Sequence, residues 1–244
     1  MTSVLLLALG TAAPAQTNLQ VFYDFGKDRH HVTTTLEGFY NDSWGNTFFF
    51  VDHYYNSRDA KGRVEAPSGT YFEIERCLNF WNDTPLSPLS LYLEYQGGVY
   101  QGFNIKNSFL CGVDYFLHSK DFRRTLNLKV LYKYIHSGKS DVPLQFSAVW
   151  GMKDLFGVKG LRFSGFMDFW REDHILLTEY GGTPLSSPRL SHAVFLTEPQ
   201  LWYNVGQFFG VNNLNLGGEV ECSFDFGTVQ GFCVRPCLGA KWVF

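Results

Sequence analysis

The sequence predicts an all-β fold, an up-and-down antiparallel transmembrane β-barrel of about twelve strands. Three observations predict it. Aromatic residues make up 18% and hydrophobic residues 45% of the 244 positions, yet the mean hydropathy is only −0.11. Beyond residue 20 no apolar run approaches the roughly 20 residues that a membrane helix needs. Apolar and polar residues instead alternate with period two, segment after segment, which is the mark of a strand with unlike faces.

The clearest segment is 123–136. Leu126, Leu128, Val130, Tyr132 and Tyr134 share one face, and Asn127, Lys129 and Lys133 share the other, with Leu131 as the apolar exception. A helix would smear both sets around its circumference. The same period predicts strands near 19–25, 32–41, 46–55, 69–80, 88–97, 105–117, 123–136, 143–153, 159–172, 191–203, 212–225 and 232–244. Membrane barrels use an even number of such strands. No composition break or linker divides them, so residues 16–244 read as one domain. The two longest gaps, 56–68 and 173–190, are the third and ninth connections and fall on one side. The turns at 81–85 and 154–158 fall on the other. Long external loops and short periplasmic turns are the barrel habit.

The faces keep one sense along the chain. Leu89, Leu91 and Leu93, then Phe146 and Trp150, then Phe163, Met167 and Phe169, then Leu214, Leu216, Val220 and Phe224 would meet lipid. The opposite face carries Glu37, Asp52, Glu73, Glu75, Glu94, Asp114, Lys129, Lys133, Lys153, Arg162, Asp168, Glu198, Glu219, Glu221, Asp225, Arg235 and Lys241. Arg76 breaks the rule by sharing parity with Ile74 and Leu78. It requires either snorkelling at a rim or a bulge that shifts the register.

Val4–Leu9 is a short apolar run that leads into small residues, with Ala13 and Ala15 in an A-x-A pattern. This predicts a signal peptide over 1–15, shortened at its start because a basic leader is missing. The final strand alternates and ends in Phe244, as the assembly signal of bacterial outer-membrane barrels does. The expectations are a bacterial outer-membrane location, contact with outer-membrane lipid, and the barrel-assembly machinery as a partner. A monomer is expected.

A net charge of −3 is too balanced for a protein that grips nucleic acid through phosphates. No cofactor motif, phosphate loop or zinc spacing is present. An outer-membrane lipid-modifying enzyme needs a His and a Ser two apart on one strand, and none of the seven His is placed so. Only Asp173 and His174 hint at a catalytic rim, so a non-enzyme is expected. Five Cys leave no complete disulfide framework and read as space-filling residues. His30 and His31 read as a surface turn.

The interior-parity aromatics bear on function. Glu37 lies with Phe39, and Phe48 and Phe50 lie with Asp52. Tyr71 lies with Glu73 and Glu75, and Tyr92 with Glu94. Asp168 lies with Phe166 and Trp170, and Glu198 and Gln200 with Trp202. Aromatic faces stack on planar rings while carboxylates accept hydrogen bonds, so this wall suits a flat solute with a polar rim. The alternative is that these aromatics only fill a narrow lumen, which leaves a structural or adhesive barrel.

Thr35-Leu36-Glu37, Phe48-Phe49-Phe50-Val51-Asp52 and Phe72-Glu73-Ile74-Glu75 resemble the first strands of the nucleoside-specific channel-forming porins (Tsx-like). Lys153-Asp154-Leu155-Phe156-Gly157 with Leu161–Trp170 resembles a central hairpin of that family, and Gly239–Phe244 its closing strand. The resemblance implies a twelve-stranded barrel with a narrow, flattened lumen and passive uptake of nucleosides and deoxynucleosides. It implies solute-contacting roles for Glu37, Asp52, Glu73, Glu75 and Asp168. Phe39, Phe48 and Phe50 are placed by parity only.

Overall fold

Period-two segments fold into strands whose two faces meet different surroundings. The structure, a computed structural model, describes residues 16–244, and the expected signal peptide over 1–15 lies outside the described residues. The strands are β1 (Gln16–Asp24), β2 (Val32–Asp42), β3 (Gly45–Tyr55), β4 (Gly69–Leu78), β5 (Leu89–Tyr100) and β6 (Phe103–His118). They continue as β7 (Arg124–Ile135), β8 (Leu144–Lys153) and β9 (Leu161–Glu179). Next come β10 (in two segments, Pro184–Thr197 and Gln200–Tyr203), β11 (Leu214–Phe224) and β12 (Phe232–Val243). Each pairs antiparallel with the next, and β1 pairs with β12 from Asn18↔Val243 to Asp24↔Cys237, so twelve strands close into a barrel. Closure leaves no strand edge to template aggregation.

The ladder of β10 breaks at Glu198-Pro199 because proline has no N–H to give. Gly165 on β9 accommodates the break. A Cβ there would lie 2.4 Å from the Glu198 carbonyl oxygen.

The barrel is inside-out relative to a water-soluble protein. Outward side chains are large and apolar, among them Leu93 (48% exposed), Val130 (47%) and Phe146 (50%). Inward side chains are polar and buried, among them Gln20, Glu94, Asp114, Lys129, Lys133, Gln145, Ser147, Glu221 and Arg235. Only surroundings that are apolar outside and polar inside make this arrangement stable. Leu131 does face inward and is fully buried. Arg76 faces outward in an unshifted register and hydrogen-bonds Thr47 (3.0 Å) and Asp42 (2.9 Å) near a strand end. Rim snorkelling is therefore correct and the bulge is not.

One expectation fails. Most of the 173–190 gap is strand rather than loop, since β9 runs to Glu179 and β10 begins at Pro184. Its turn, 180–183, is tight, with Gly181 and Gly182 at positive φ. Loop length is also less sorted than the sequence gaps indicate. At the end that carries both termini, 79–88 and 204–213 are long, while at the opposite end, the mouth, 101–102 is a two-residue turn.

Candidate functional site

The register arranges the interior wall in ranks. Glu37, Phe50, Glu73 and Gln96 lie side by side across β2–β5, and Thr35, Asp52 and Tyr71 form the next rank. Residues two apart on a strand project to the same face, so an aromatic donor reaches the carboxylate beside it. Tyr71 donates to Glu73, Tyr92 to Glu94 at 2.6 Å and Trp170 to Glu172 at 3.1 Å. Trp202 donates to Gln200 at 2.9 Å, and Gln200 donates to Glu219 at 2.8 Å. Thr35 donates to Asp52 across strands at 2.5 Å.

The structure places Glu37, Phe48, Phe50, Asp52, Tyr71, Glu73, Glu75, Tyr92, Glu94, Asp168, Trp170, Glu198 and Gln200 on the interior side. Asp168 stands opposite Ser147 in the β8–β9 register. Phe39 has the same parity and stands opposite Phe48, but it sits near the terminal end and is 38% exposed. Aromatic contacts link Phe48 to Phe50 (centroids 6.2 Å apart) and Phe50 to Tyr71 (5.9 Å).

Several side chains reach along the inner wall to strands one to three positions away. Lys129 of β7 reaches Glu75 of β4 at 2.8 Å and lies 4.0 Å over the Tyr92 ring. Lys133 lies 4.0 Å over the Trp170 ring and donates to Gln145 at 2.7 Å. Phe22 of β1 meets Trp202 of β10 at 5.5 Å.

The mouth is covered from within. The 25–31 connection places Asp28 against Arg235 of β12, with Nη2 to Oδ2 at 2.6 Å and Nε to Oδ1 at 2.9 Å. Arg29 pairs with Glu221 of β11 at 2.8 Å and with Asp24 at 3.4 Å. Glu221 also accepts from Arg235, so one carboxylate bridges two guanidinium groups. The β9–β10 hairpin leans over this network. Tyr180 at its tip hydrogen-bonds the Val234 carbonyl, and Lys27 lies 5.4 Å over its ring. The 225–231 connection joins the cover through Asp225, which accepts from Ser191 at 2.8 Å. Burial would raise the Asp28 carboxyl, but hydrogen bonds and charge from Arg235 hold it below the usual carboxylate range. His31 is buried rather than a surface-turn residue, 6.1 Å from the Tyr54 ring and 6.4 Å from that of Tyr100. Burial and the charge of Arg29 push its pKa down.

Sequence reasoning missed Asp24, Asp28, Arg29, Tyr54 and Gln20 as interior residues of interest. Parity would have found Gln20, Asp24 and Tyr54. It has no reach into a loop, so nothing local marks Asp28 and Arg29. Asp173 and His174, which only hinted at a catalytic rim, do not bond each other. Asp173 pairs instead with His192 at 2.6 Å, and His174 turns to the Asp225 carbonyl. All five thiols are free, with Cys111 facing outward. Among the described residues no three His, Cys, Asp or Glu converge as metal ligands do.

A closed antiparallel barrel with an apolar exterior and a charged interior defines the class, an outer-membrane β-barrel of the bacterial envelope. The chain belongs to the family described as "Domain of unknown function (DUF5020)", which it matches over residues 15–244. No curated protein matches it. Among solved structures it is similar to OprB of Pseudomonas putida (12% identity, 87% of this chain and 59% of that one, TM-score 0.44). It is also similar to OccK2 (OpdF) of Pseudomonas aeruginosa (12%, 89% and 72%, TM-score 0.42). The outer membrane protein Omp33 of Acinetobacter baumannii is a third (10%, 96% and 100%, TM-score 0.43).

Proposed function

We propose that the barrel is a passive outer-membrane channel for small solutes that join a planar face to a hydrogen-bonding rim, nucleosides and deoxynucleosides first among them. The interior wall of β2–β5, where carboxylates and aromatics alternate along and across strands, carries this reading. Phe50 lies between Glu37 and Glu73 in register and touches Phe48 and Tyr71. A flat ring stacks on such faces, and the carboxylates accept from its hydroxyls or amino groups. Several weak sites in series let a solute enter and also leave. The resemblance of these same segments to nucleoside-specific porins points the same way. The protein would act without a cofactor and as a monomer. Phe244, whose N–H bonds the Thr17 carbonyl at the β1–β12 seam, would serve assembly.

A structural barrel with a blocked lumen is the second reading, favoured by the Glu75–Lys129 tie and the covered mouth. Flux into proteoliposomes decides between them. Adenosine and thymidine should enter faster than a sugar of similar size, and Phe50→Ala should remove that preference while the barrel still folds. Equal rates for nucleoside and sugar would defeat the nucleoside claim. No flux of either would favour the blocked barrel.

A further inference from the structure

Arg123, Lys153 and Arg162 stand side by side on the interior wall, at the end of the barrel that carries both termini. Lys153 and Arg162 are direct partners in the β8–β9 register, and the Lys153 N–H bonds the Arg123 carbonyl at 2.9 Å. Parity places the three on the lumen side, with Lys129 of β7, Gln145 of β8 and Asp168 of β9. We propose that this row of cations, with the row of hydroxyls next to it, is a binding site for a phosphate group. The group belongs to a solute at this opening or to a phospholipid headgroup at its rim. The binding does not rest on the channel reading above.

Like charges directly opposite each other on neighbouring strands oppose pairing. Three in a row therefore call for an anion, and the wall supplies little of one. Arg123 lies 3.6 Å from Asp121 and 3.8 Å from Asp154, both in turns and both beyond hydrogen-bond reach. Among the described residues, the Lys153 and Arg162 side chains make no ion pair or hydrogen bond. The interior cations elsewhere are committed. Lys129 pairs with Glu75, Arg29 with Glu221 and Arg235 with Asp28, while Lys133 and Lys241 lie over the rings of Trp170 and Trp202.

The next row inward is an independent sign. It consists of Thr125, Gly151 and Ser164, so it carries two hydroxyls and no charge. Gly151 leaves a niche between them. A Cβ there would lie 2.8 Å from Thr125 Oγ1 and within 4 Å of no other atom. An anion in the niche meets two guanidinium forks and an ammonium on one side and hydroxyls on the other. A phosphate group suits this better than a carboxylate, because it brings nearly two charges and three acceptor oxygens to three cations.

The test is equilibrium dialysis of the folded barrel, in an uncharged detergent at low salt, against AMP and adenosine. AMP should bind at least about tenfold more tightly, since adenosine lacks the charge-assisted hydrogen bonds of the phosphate. Lys153→Gln/Arg162→Gln should bring the two ligands close to parity. Lys153 is exposed, so Lys153→Gln alone keeps the fold intact and should lower the preference at least about threefold. Lys106→Gln/Lys139→Gln, which removes the same charge near the mouth, should leave the preference in place. Equal binding of AMP and adenosine by the unaltered protein overturns the site. So does an unchanged preference in the folded Lys153 variant, or an equal loss in the mouth control. A short-chain phosphatidylglycerol added as competitor separates the two sources. Displacement of AMP at equal concentration supports the site and assigns it to lipid headgroups, and retention of AMP supports a solute site.

Discussion

Asp28 and Arg235 are 207 residues apart in sequence, and the Asp28 carboxylate holds the Arg235 guanidinium through both of its oxygens. The pair ties the first connection to the last strand, across the seam where the barrel closes. Asp28 draws the 25–31 segment down into the mouth, so tightly that a Cβ on Gly26 would lie 2.8 Å from Arg235 Cγ. Glu221 and Arg29 complete the network. Whatever passes the barrel has to displace this cover or thread beside it.

Asp28→Asn should loosen the cover. The side chain is mostly buried (15% exposed), so losing its charge should cost about 1.5–3 kcal/mol, as hydrogen bonds to charged groups do. Limited trypsin digestion should then cut faster after Lys27 and Arg29 while the barrel core stays resistant. A digestion pattern identical to that of the unaltered protein would count against the clamp.

Acid should open the same segment. The His31 pKa is lowered by burial and by Arg29, so the neutral ring is the form that fits. Its contribution to stability is complete above the ordinary value of 6.5 and is lost as pH falls through the lowered one. A proton on His31 would place a second charge beside Arg29. Protection factors of the 25–31 amides, which correct for the slower intrinsic exchange in acid, should therefore fall between about pH 7.5 and about pH 5, less so in His31→Gln. Asp28 adds nothing in that window, because its lowered pKa keeps it ionised there. Protection factors that do not change with pH in the unaltered protein would refute the role of His31.

Removing one member of the Glu75–Lys129 tie should be worse than removing both. Lys129→Met leaves a buried carboxylate without its partner, at a cost of about 3–5 kcal/mol. Adding Glu75→Leu should restore much of that stability. Thermal unfolding midpoints in detergent micelles compare the three proteins, and a double variant less stable than the single would contradict the argument.

Adjacent positions should respond in opposite ways. Val130 faces lipid and Leu131 the lumen. Val130→Arg should impair insertion into lipid vesicles, by about 2–4 kcal/mol if it lies near the bilayer midplane. Leu131→Ala should lower stability in both lipid and detergent, by about 2–5 kcal/mol for a buried leucine. Urea titrations in vesicles and in micelles separate the two. An insertion defect from Leu131→Ala alone would mean that the faces are reversed.

Much of this barrel was legible residue by residue. The segment from Arg123 to His136 displays both faces of β7, Leu131 included, and the same alternation placed all twelve strands within a few residues except around 173–190. There Ile175 and Leu177 continue the outward face of β9, but the polar and Gly-rich stretch after them resembles a loop. The interior candidates on β2–β5 were readable for the same reason: in a strand, parity alone decides which wall a side chain joins.

The sequence by itself determined the strand pattern, the two faces and the inverted distribution of polarity, because period two is a local property of the backbone. Only the tertiary structure decided which interior charges meet. Closure brings Asp28 to Arg235, and the curl of the sheet brings Lys129 to Glu75. Closure also buries His31 under the mouth. Those contacts depend on strand register and on the path of loops across the lumen. Neither has a period that a one-dimensional pattern can carry.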